Sequence, residues 1–156
     1  MDGSGFQLRP ARPEDSTSIR KLIWRVRINP TGLDWRRFWV AVDSQDRLLG
    51  CGQLKSHSDG SLELASIAVH PQYRGRGIAH AIVNHLLDRA SRPLYLRCAA
   101  PMQAFYERFC FRAISPDEMP PSFLRDWKIF TWLKKYLFPK IPGFCVMRID
   151  GFPKQP

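Results

Sequence analysis

The stretch that decides the fold is LELASIAVHPQYRGRGIA, residues 62–79. Its first eight residues are mostly apolar and predict a strand, and a helix with an apolar stripe is predicted after the glycines. A glycine-rich turn that opens a helix directs backbone N–H groups and the positive end of the helix dipole at one point. Gly75 and Gly77 let the backbone approach an anion closely, while Arg74 and Arg76 add charge. The turn therefore predicts a binding site for phosphate or pyrophosphate. The alternative is a plain strand-to-helix turn whose two arginines are solvated.

Two common nucleotide-binding patterns are absent from this turn. The dinucleotide fingerprint G-x-G-x-x-G fails because its last position is His80. The ATP-binding pattern G-x-x-x-x-G-K-[ST] fails because no Gly-Lys-Ser or Gly-Lys-Thr occurs in the chain. The anion is therefore held in another way.

The segment VHPQYRGRGIA, residues 69–79, resembles the acetyl-CoA-binding motif of the GNAT acyltransferase superfamily. Its signature, R/Q-x-x-G-x-G/A, is met by Arg74, Gly77 and Ala79. This resemblance implies a fold of the GNAT type and acetyl-CoA as cosubstrate.

Two further segments extend the resemblance along the chain. FQLRPARPED, residues 6–15, resembles the first strand and first helix start of the family, and AFYERFCF, residues 104–111, resembles its late F-Y-E-x-x-G-F segment. The three motifs occur in the family's order over residues 6–111.

The resemblance also implies which residues contact the cosubstrate. The turn residues that would hold the pyrophosphate are Arg74, Gly75, Arg76, Gly77, Ile78 and Ala79. In the family the fourth and fifth strands splay apart at a bulge, so the amide of Ile67 would bind the thioester carbonyl. The amide of Val69 would bind the pantetheine arm, and Ala68 between them belongs to the same binding segment.

Two residues match the family's acid and base. Tyr106 fits the general acid, because a phenol is protonated at neutral pH and can donate to a departing thiolate. Glu63 stands four residues before Ile67, where some members place a base that acts through water. The alternatives are a tyrosine packed against the sheet and an outward-facing strand glutamate, and Asp34 and His70 are weaker candidates for the base.

Two positions depart from the family pattern. The family often has Asn after its fifth strand, where Ala99 and Ala100 stand here, so one CoA contact of some members is missing. Cys110 replaces the usual Gly of F-Y-E-x-x-G-F. If that position is left-handed, Cys costs about 1 kcal/mol there.

Composition indicates one globular domain over residues 1–156 with an aromatic and basic insertion at about 115–143. No apolar run is long enough to span a membrane, and the start Met1–Gly5 is polar, so we expect a cytoplasmic protein. The net charge of +10 attracts anions, which include CoA, nucleic acid and anionic membranes. No RNA-binding aromatic motif or helix-turn-helix supports specific nucleic-acid binding.

No metal site is predicted. The four cysteines form no C-x-x-C pair. Cys51, Cys98 and Cys145 lie in apolar strand-like segments and fit reduced core thiols, with a nucleophilic Cys98 as the alternative. His80 and His85 are five residues apart on the predicted helix, so they face different directions.

The periodicity predicts an α/β (α+β) fold: a mixed, mostly antiparallel sheet of six to seven strands with helices on both faces. Strands are expected at 7–9, 38–42, 48–55, 62–69, 93–98, 111–114 and 144–149, and helices from about 13, at 78–90, 101–108 and 122–138. The link between the first helix and the second strand leaves room for a small helix at most.

The helix predicted at 122–138 has too many large apolar residues for one narrow stripe, and lysines lie between them. Three interpretations stay open: a lid over the acceptor cleft, plain core or a homodimer contact, and, least favoured, a helix lying on an anionic membrane surface.

The expected function is N-acetyl transfer from acetyl-CoA to a primary amine, on a small molecule or a protein, directly within a ternary complex. The short first connection and the aromatic insertion favour a compact apolar or aromatic amine. The alternative is a domain of GNAT fold that binds acyl-CoA as a sensor or interaction module without turnover.

Overall fold

The structure of the protein is a computed structural model that describes residues 5–151. Of the polar start on which the cytoplasmic expectation rests, Met1–Ser4 lie outside the described residues. No helix among the residues described is long and apolar enough to cross a membrane.

The described residues contain seven strands and four α-helices, and the predicted mixed, mostly antiparallel sheet is confirmed. In chain order the elements are β1 Gln7–Pro10, α1 Ser16–Val26, β2 Phe38–Val42, β3 Leu48–Ser56, β4 Leu62–Val69, α2 Ile78–Leu87, β5 Leu94–Ala99, α3 Gln103–Glu107, β6 Arg112–Ala113, α4 Pro121–Tyr136 and β7 Phe144–Ile149. The sheet order is β1-β2-β3-β4-β5-β7-β6. Antiparallel pairing joins β1 to β2, β2 to β3, β5 to β7 and β6 to β7.

The chain divides into two compact units. The first comprises residues up to Lys55 together with Leu64–Ala90, and the second comprises Ser56–Glu63 together with the residues from Ser91 onward.

In the first unit, α1 buries one face in a core with β2 and β3. Its residues Ile19, Leu22 and Ile23 recur at helical spacing and are almost fully buried. They cluster with Phe38 and Val40 of β2. As the sequence predicts, only a single 3-10 turn, Trp35–Arg37, stands between α1 and β2.

The opposite side of β3 is packed closely against α2. A Cβ placed on Gly52 would lie 2.6 Å from Ile67 Cδ1, 2.8 Å from Ile82 Cγ2 and 3.1 Å from Leu86 Cδ1. Glycine at this position lets the helix approach β3, and any larger side chain would displace three others. Within this unit, helices therefore cover both faces of β3.

A buried ion pair fixes β1 to the start of α1. Arg9 and Asp15 are 9% and 8% exposed, and two guanidinium N–H groups donate to the Asp15 carboxylate at 2.7 and 3.0 Å. The backbone N–H of Arg12 also donates to Asp15, and Arg9 Nε donates to Asp46 at 2.9 Å. The hydrogen bond from Arg9 holds the pKa of Asp15 below its ordinary value, and the Arg12 amide contributes in spite of burial.

In the second unit, the N-terminal half of α4 packs on β5 and β7. Phe123 is fully buried and clusters with Tyr95, Met119 and Val146. The helix is tied at its start by Asp59, whose carboxylate accepts from the amide of Ser122 at 2.9 Å and from its hydroxyl at 2.8 Å. These two bonds cap the first turn of α4 from another part of the chain.

Some predicted boundaries differ from the structure. The helix predicted at 78–90 ends at Leu87, because the amides of Arg89 and Ala90 bond three residues back and tighten the last turn. The first helix begins at Ser16, after a 3-10 turn at Pro13–Asp15. The helix predicted at 122–138 runs from Pro121 to Tyr136.

Cys110 follows α3 with a φ of 70°, in the left-handed region. The condition stated for this position, at which the resembling motif has Gly, is therefore met. A Cβ in this region clashes with the following carbonyl oxygen, so the residue is strained.

We expect Asp15→Asn to lower the free energy of unfolding at neutral pH by about 3 kcal/mol, because it leaves a buried guanidinium with one charged partner fewer. The Asp15 carboxyl has a depressed pKa when folded, so its contribution is present above about pH 4 and is lost as the pH falls through the folded value. Urea titrations at pH 7 and in acid test this. The difference from wild type should narrow in acid, and Glu14→Gln, a change at an exposed neighbour, should have little effect at either pH.

We expect Cys110→Gly to raise the free energy of unfolding by up to about 1 kcal/mol, since glycine adopts this conformation without strain. Cys110→Ala is the matched control, because it removes the thiol and keeps the Cβ. Urea unfolding under reducing conditions measures both. Equal stability of the Gly and Ala variants would contradict the prediction.

Candidate active site

The glycine turn lies in the first unit, between β4 and α2. Gly75 and Gly77 have φ of 76° and 77°, a conformation that favours glycine. A Cβ on either would meet no heavy atom of the described residues within 4 Å, so the space before both is open. Arg74 and Arg76 are exposed on the same turn, and the Arg76 guanidinium lies 5.3 Å from the ring centroid of Tyr73.

The turn leads directly into the N-terminus of α2. Gly77 is the N-cap, and its carbonyl accepts the first helical bond from the amide of Ala81 at 2.9 Å. Helix geometry therefore leaves the amides of Ile78 and Ala79 without partners inside the helix. Open space, two arginines and helix amides together form a cradle, and such an arrangement at a helix N-terminus can bind phosphate groups.

β4 is distorted at Ser66, which has a φ of 58° inside the strand. A left-handed residue inside a strand is typical of a β-bulge, at which the pairing of a sheet is locally interrupted. Ile67, Ala68 and Val69 follow it directly. The bulge was expected only from the family resemblance, because serine carries no preference for this conformation.

The bulge is held by Gln53 of β3, a residue that sequence reasoning missed. Gln53 is fully buried, and its Nε2 donates to Ser66 Oγ at 2.9 Å and to the carbonyl of Gly32 at 3.2 Å. The Cys51 thiol lies 3.7 Å from the Ser66 carbonyl. Since a polar residue between apolar neighbours in a strand is an observable signal, the alternation in β3 could have identified Gln53.

The second unit holds Glu63, which is buried rather than outward-facing. Its Oε2 lies 2.6 Å from His57 Nε2 and 3.4 Å from an Arg97 nitrogen. Sequence reasoning assigned His57 no role, because the pairing depends on how the β3–β4 hairpin folds. The carboxylate is thus oriented by an imidazole and a guanidinium.

Arg97 links Glu63 to α4. Its NH1 donates to Asp126 at 2.7 Å, and its guanidinium lies 4.6 Å from the ring centroid of Phe123. Burial opposes ionisation of Asp126, but the hydrogen bond from Arg125 and the charge of Arg97 lower its pKa overall. Contacts with α4 therefore help to hold the Glu63 carboxylate in position through Arg97.

Tyr106 lies on α3 in the second unit and is 8% exposed. Its ring makes edge contacts with Phe105 and Phe111, with centroids 5.0 and 6.2 Å away. Burial raises the pKa of Tyr106 well above its ordinary value, and the nearby Cys98 adds to the shift. The phenol therefore keeps its proton at neutral pH, as a proton donor must.

The weaker candidates are engaged elsewhere. Asp34 accepts from the amide of Arg36 at 3.1 Å, and His70 Nδ1 accepts from the amide of Gln72 at 3.3 Å, so both cap local turns. Burial raises the pKa of Cys98, and the Cys145 thiol 3.3 Å away raises it further. Cys98 is therefore a neutral thiol at neutral pH, and a neutral thiol is a poor nucleophile. Among the described residues, no three His, Cys, Asp or Glu side chains come together as metal ligands.

The chain is similar in sequence to a curated protein. An amino-acid acetyltransferase of Mycobacterium tuberculosis is 40% identical over 57 residues, which are 35% of this chain and 33% of that protein. The aligned part is thus a third of this curated relative.

Solved structures share the fold. A Mycobacterium tuberculosis protein in complex with CoA superposes with a TM-score of 0.72 at 24% identity, over 94% of this chain and 99% of that one. N-acetylglutamate synthase from Neisseria gonorrhoeae, complexed with coenzyme A and N-acetyl-glutamate, has a TM-score of 0.72 at 21% identity, over 94% of this chain and 35% of that one. NAA60 of Arabidopsis thaliana, in complex with a bisubstrate analogue, has a TM-score of 0.64 at 17% identity, over 93% of this chain and 97% of that one.

The sequence profile of the Acetyltransferase (GNAT) family matches residues 7–111, which cover the glycine turn, the bulge, Glu63 and Tyr106. On that match, this chain belongs to the GNAT acetyltransferase family.

Proposed function

We propose that this protein transfers an acetyl group from acetyl-CoA to a primary amine, directly and without a covalent enzyme intermediate. The observation that carries the proposal is the left-handed Ser66 immediately before Ile67, on the strand that leads into the Gly75–Gly77 turn. A bulge followed by an anion cradle would supply an amide that binds the thioester carbonyl and a site that binds the pyrophosphate.

In this proposal the two units act as parts of one acyltransferase domain, since the family match runs through both. The first unit would hold acetyl-CoA. Arg74, Arg76 and the amides of the glycine turn would bind the pyrophosphate, and the amides of Ile67 and Val69 would bind the thioester carbonyl and the pantetheine arm. Acetyl-CoA supplies an activated acyl group when bound.

The second unit would move the protons. As the new C–N bond forms and the C–S bond breaks, the amine loses a proton and the departing thiolate gains one. Glu63, oriented by His57, would accept the first proton, through water if the amine is out of direct reach. Tyr106 would donate the second, because a phenol is protonated at neutral pH and can give its proton to a departing thiolate.

For the acceptor we propose the α-amino group of an amino acid. The support is the acceptor class named for the curated relative and for the synthase of similar fold. The sequence-based expectation of a compact apolar or aromatic amine narrows the first choices to amino acids with such side chains. To test this assignment, a panel of amino acids and simple amines is offered as acceptors, and acetyl transfer to each is measured as the release of the free thiol of CoA.

The rival function is an acyl-CoA sensor that binds without turnover. It shares the turn and the bulge with the enzyme but needs neither Tyr106 nor Glu63. Comparing binding with turnover in the same variants therefore separates the two.

We expect Tyr106→Phe to lower kcat by about a hundredfold or more, because it removes the proton donor and keeps the ring packing. Binding of CoA, measured by calorimetry, should change little. Gly77→Glu is the complementary variant: a carboxylate in the cradle should abolish CoA binding, as seen in a thermal shift. A wild type that binds CoA and acetylates no amine of the panel would favour the sensor.

We expect Glu63→Gln to lower kcat by about a hundredfold or more, and His57→Asn by about tenfold, if Glu63 is the base and His57 positions it. The rates of the variants and of the wild type are compared at saturating acetyl-CoA and amine. Glu107→Gln, beside Tyr106 and exposed, is the control and should keep full activity. A larger loss with His57→Asn than with Glu63→Gln would assign the base to His57 instead.

A further inference from the structure

Most of the exposed large hydrophobic side chains among the described residues lie in one segment, the C-terminal half of α4 and the loop after it. Six such residues have exposed fractions between 41% and 61%. We call them the α4 patch: Ile129, Trp132, Tyr136, Leu137, Phe138 and Ile141.

Helix geometry explains why the patch faces outward. Ile129, Trp132 and Tyr136 recur at spacings of three and four, so they share one face of α4. Phe123 and Trp127 lie on another face and pack in the core of the second unit. Because that core already anchors the helix, the outward stripe is not needed for its packing.

Positive charge surrounds the patch. Lys128, Lys135 and Lys140 are exposed among its members, and Lys135 Nζ lies 5.2 Å from the ring centroid of Tyr136. Between Asp126 and Asp150 the sequence has no acidic residue. An apolar surface with this rim is complementary to an anionic partner.

A second copy of the chain fits poorly. A two-fold interface would place the same patch on both sides, so lysines would face lysines with no carboxylate from this segment between them. The core interpretation is also unsupported, since the patch is exposed. Amphipathic aromatic rings combined with exposed aliphatic residues and lysines are the features of a helix that lies at a membrane interface.

We propose that the α4 patch binds the surface of a membrane that contains anionic phospholipids. The aromatic and aliphatic side chains enter the headgroup region, and the lysines contact the lipid phosphates. Of the sequence-based alternatives, the membrane surface came last, and the exposure of the patch favours it over plain core. The proposal is independent of the acetyltransferase reaction.

The experiment is co-sedimentation of the full chain with phosphatidylcholine vesicles, with and without a quarter of phosphatidylglycerol. We expect binding to the mixed vesicles at low salt, weaker binding as salt is added, and little binding to phosphatidylcholine alone. Lys128→Glu with Lys135→Glu should lower the partition coefficient by about tenfold or more. Trp132→Ala with Phe138→Ala should lower it comparably and leave the melting temperature unchanged, because both side chains are exposed.

Matched controls come from α1 in the first unit. Trp24 is 69% exposed, and Lys21 and Arg25 are exposed beside it. Trp24→Ala and the pair Lys21→Glu, Arg25→Glu make the same chemical changes outside the patch and should bind vesicles like wild type.

Three results would overturn the proposal. One is a wild type that does not sediment with the mixed vesicles at low salt. The second is equal loss of binding in the α1 controls, which would mean that net charge alone drives it. The third is self-association of the wild type that the patch variants abolish without any change in vesicle binding, which would assign the patch to a second copy.

Discussion

The left-handed backbone at Ser66 is the constraint on which the candidate site depends. A non-glycine residue in this conformation costs about 1–3 kcal/mol and persists only where its surroundings hold it. Here Gln53 holds the serine hydroxyl and is itself held by the carbonyl of Gly32. A regular strand uses its amides in the ladder, so the proposed binding of a ligand carbonyl depends on contacts within the first unit.

In the second unit, the position of the Glu63 carboxylate depends in a similar way on α4. Arg97 bonds to Asp126 of the helix and to Glu63 of the hairpin, and Asp59 of the same hairpin binds Ser122 at the helix start. The helix and the hairpin that carries Glu63 are thus joined at two points. A movement of α4 would therefore shift the guanidinium of Arg97 and, with it, the orientation of the Glu63 carboxylate.

The sequence predicted those parts of the fold that depend on local spacing. Periodicity and glycine chemistry predict the strands at 38–42, 62–69 and 144–149 and the turn at Gly75 and Gly77. The motif identifies Cys110 as a position that would be strained if it were left-handed, which it is. The bulge had no local signal, because Ser66 adopts its conformation through tertiary hydrogen bonds. The pairing of His57 with Glu63 depends on how a hairpin closes, and the roles of Gln53 and Arg97 depend on contacts that no short window of sequence contains.

The bare Cα of Gly52 has a consequence for how this chain can evolve. The space that a side chain would occupy there is filled by Ile67, Ile82 and Leu86. A larger residue at position 52 would therefore be accommodated most easily alongside a smaller one at 67, 82 or 86. Because Ile67 also provides the amide proposed to bind the thioester carbonyl, a change in this part of the interior would act directly beside that amide.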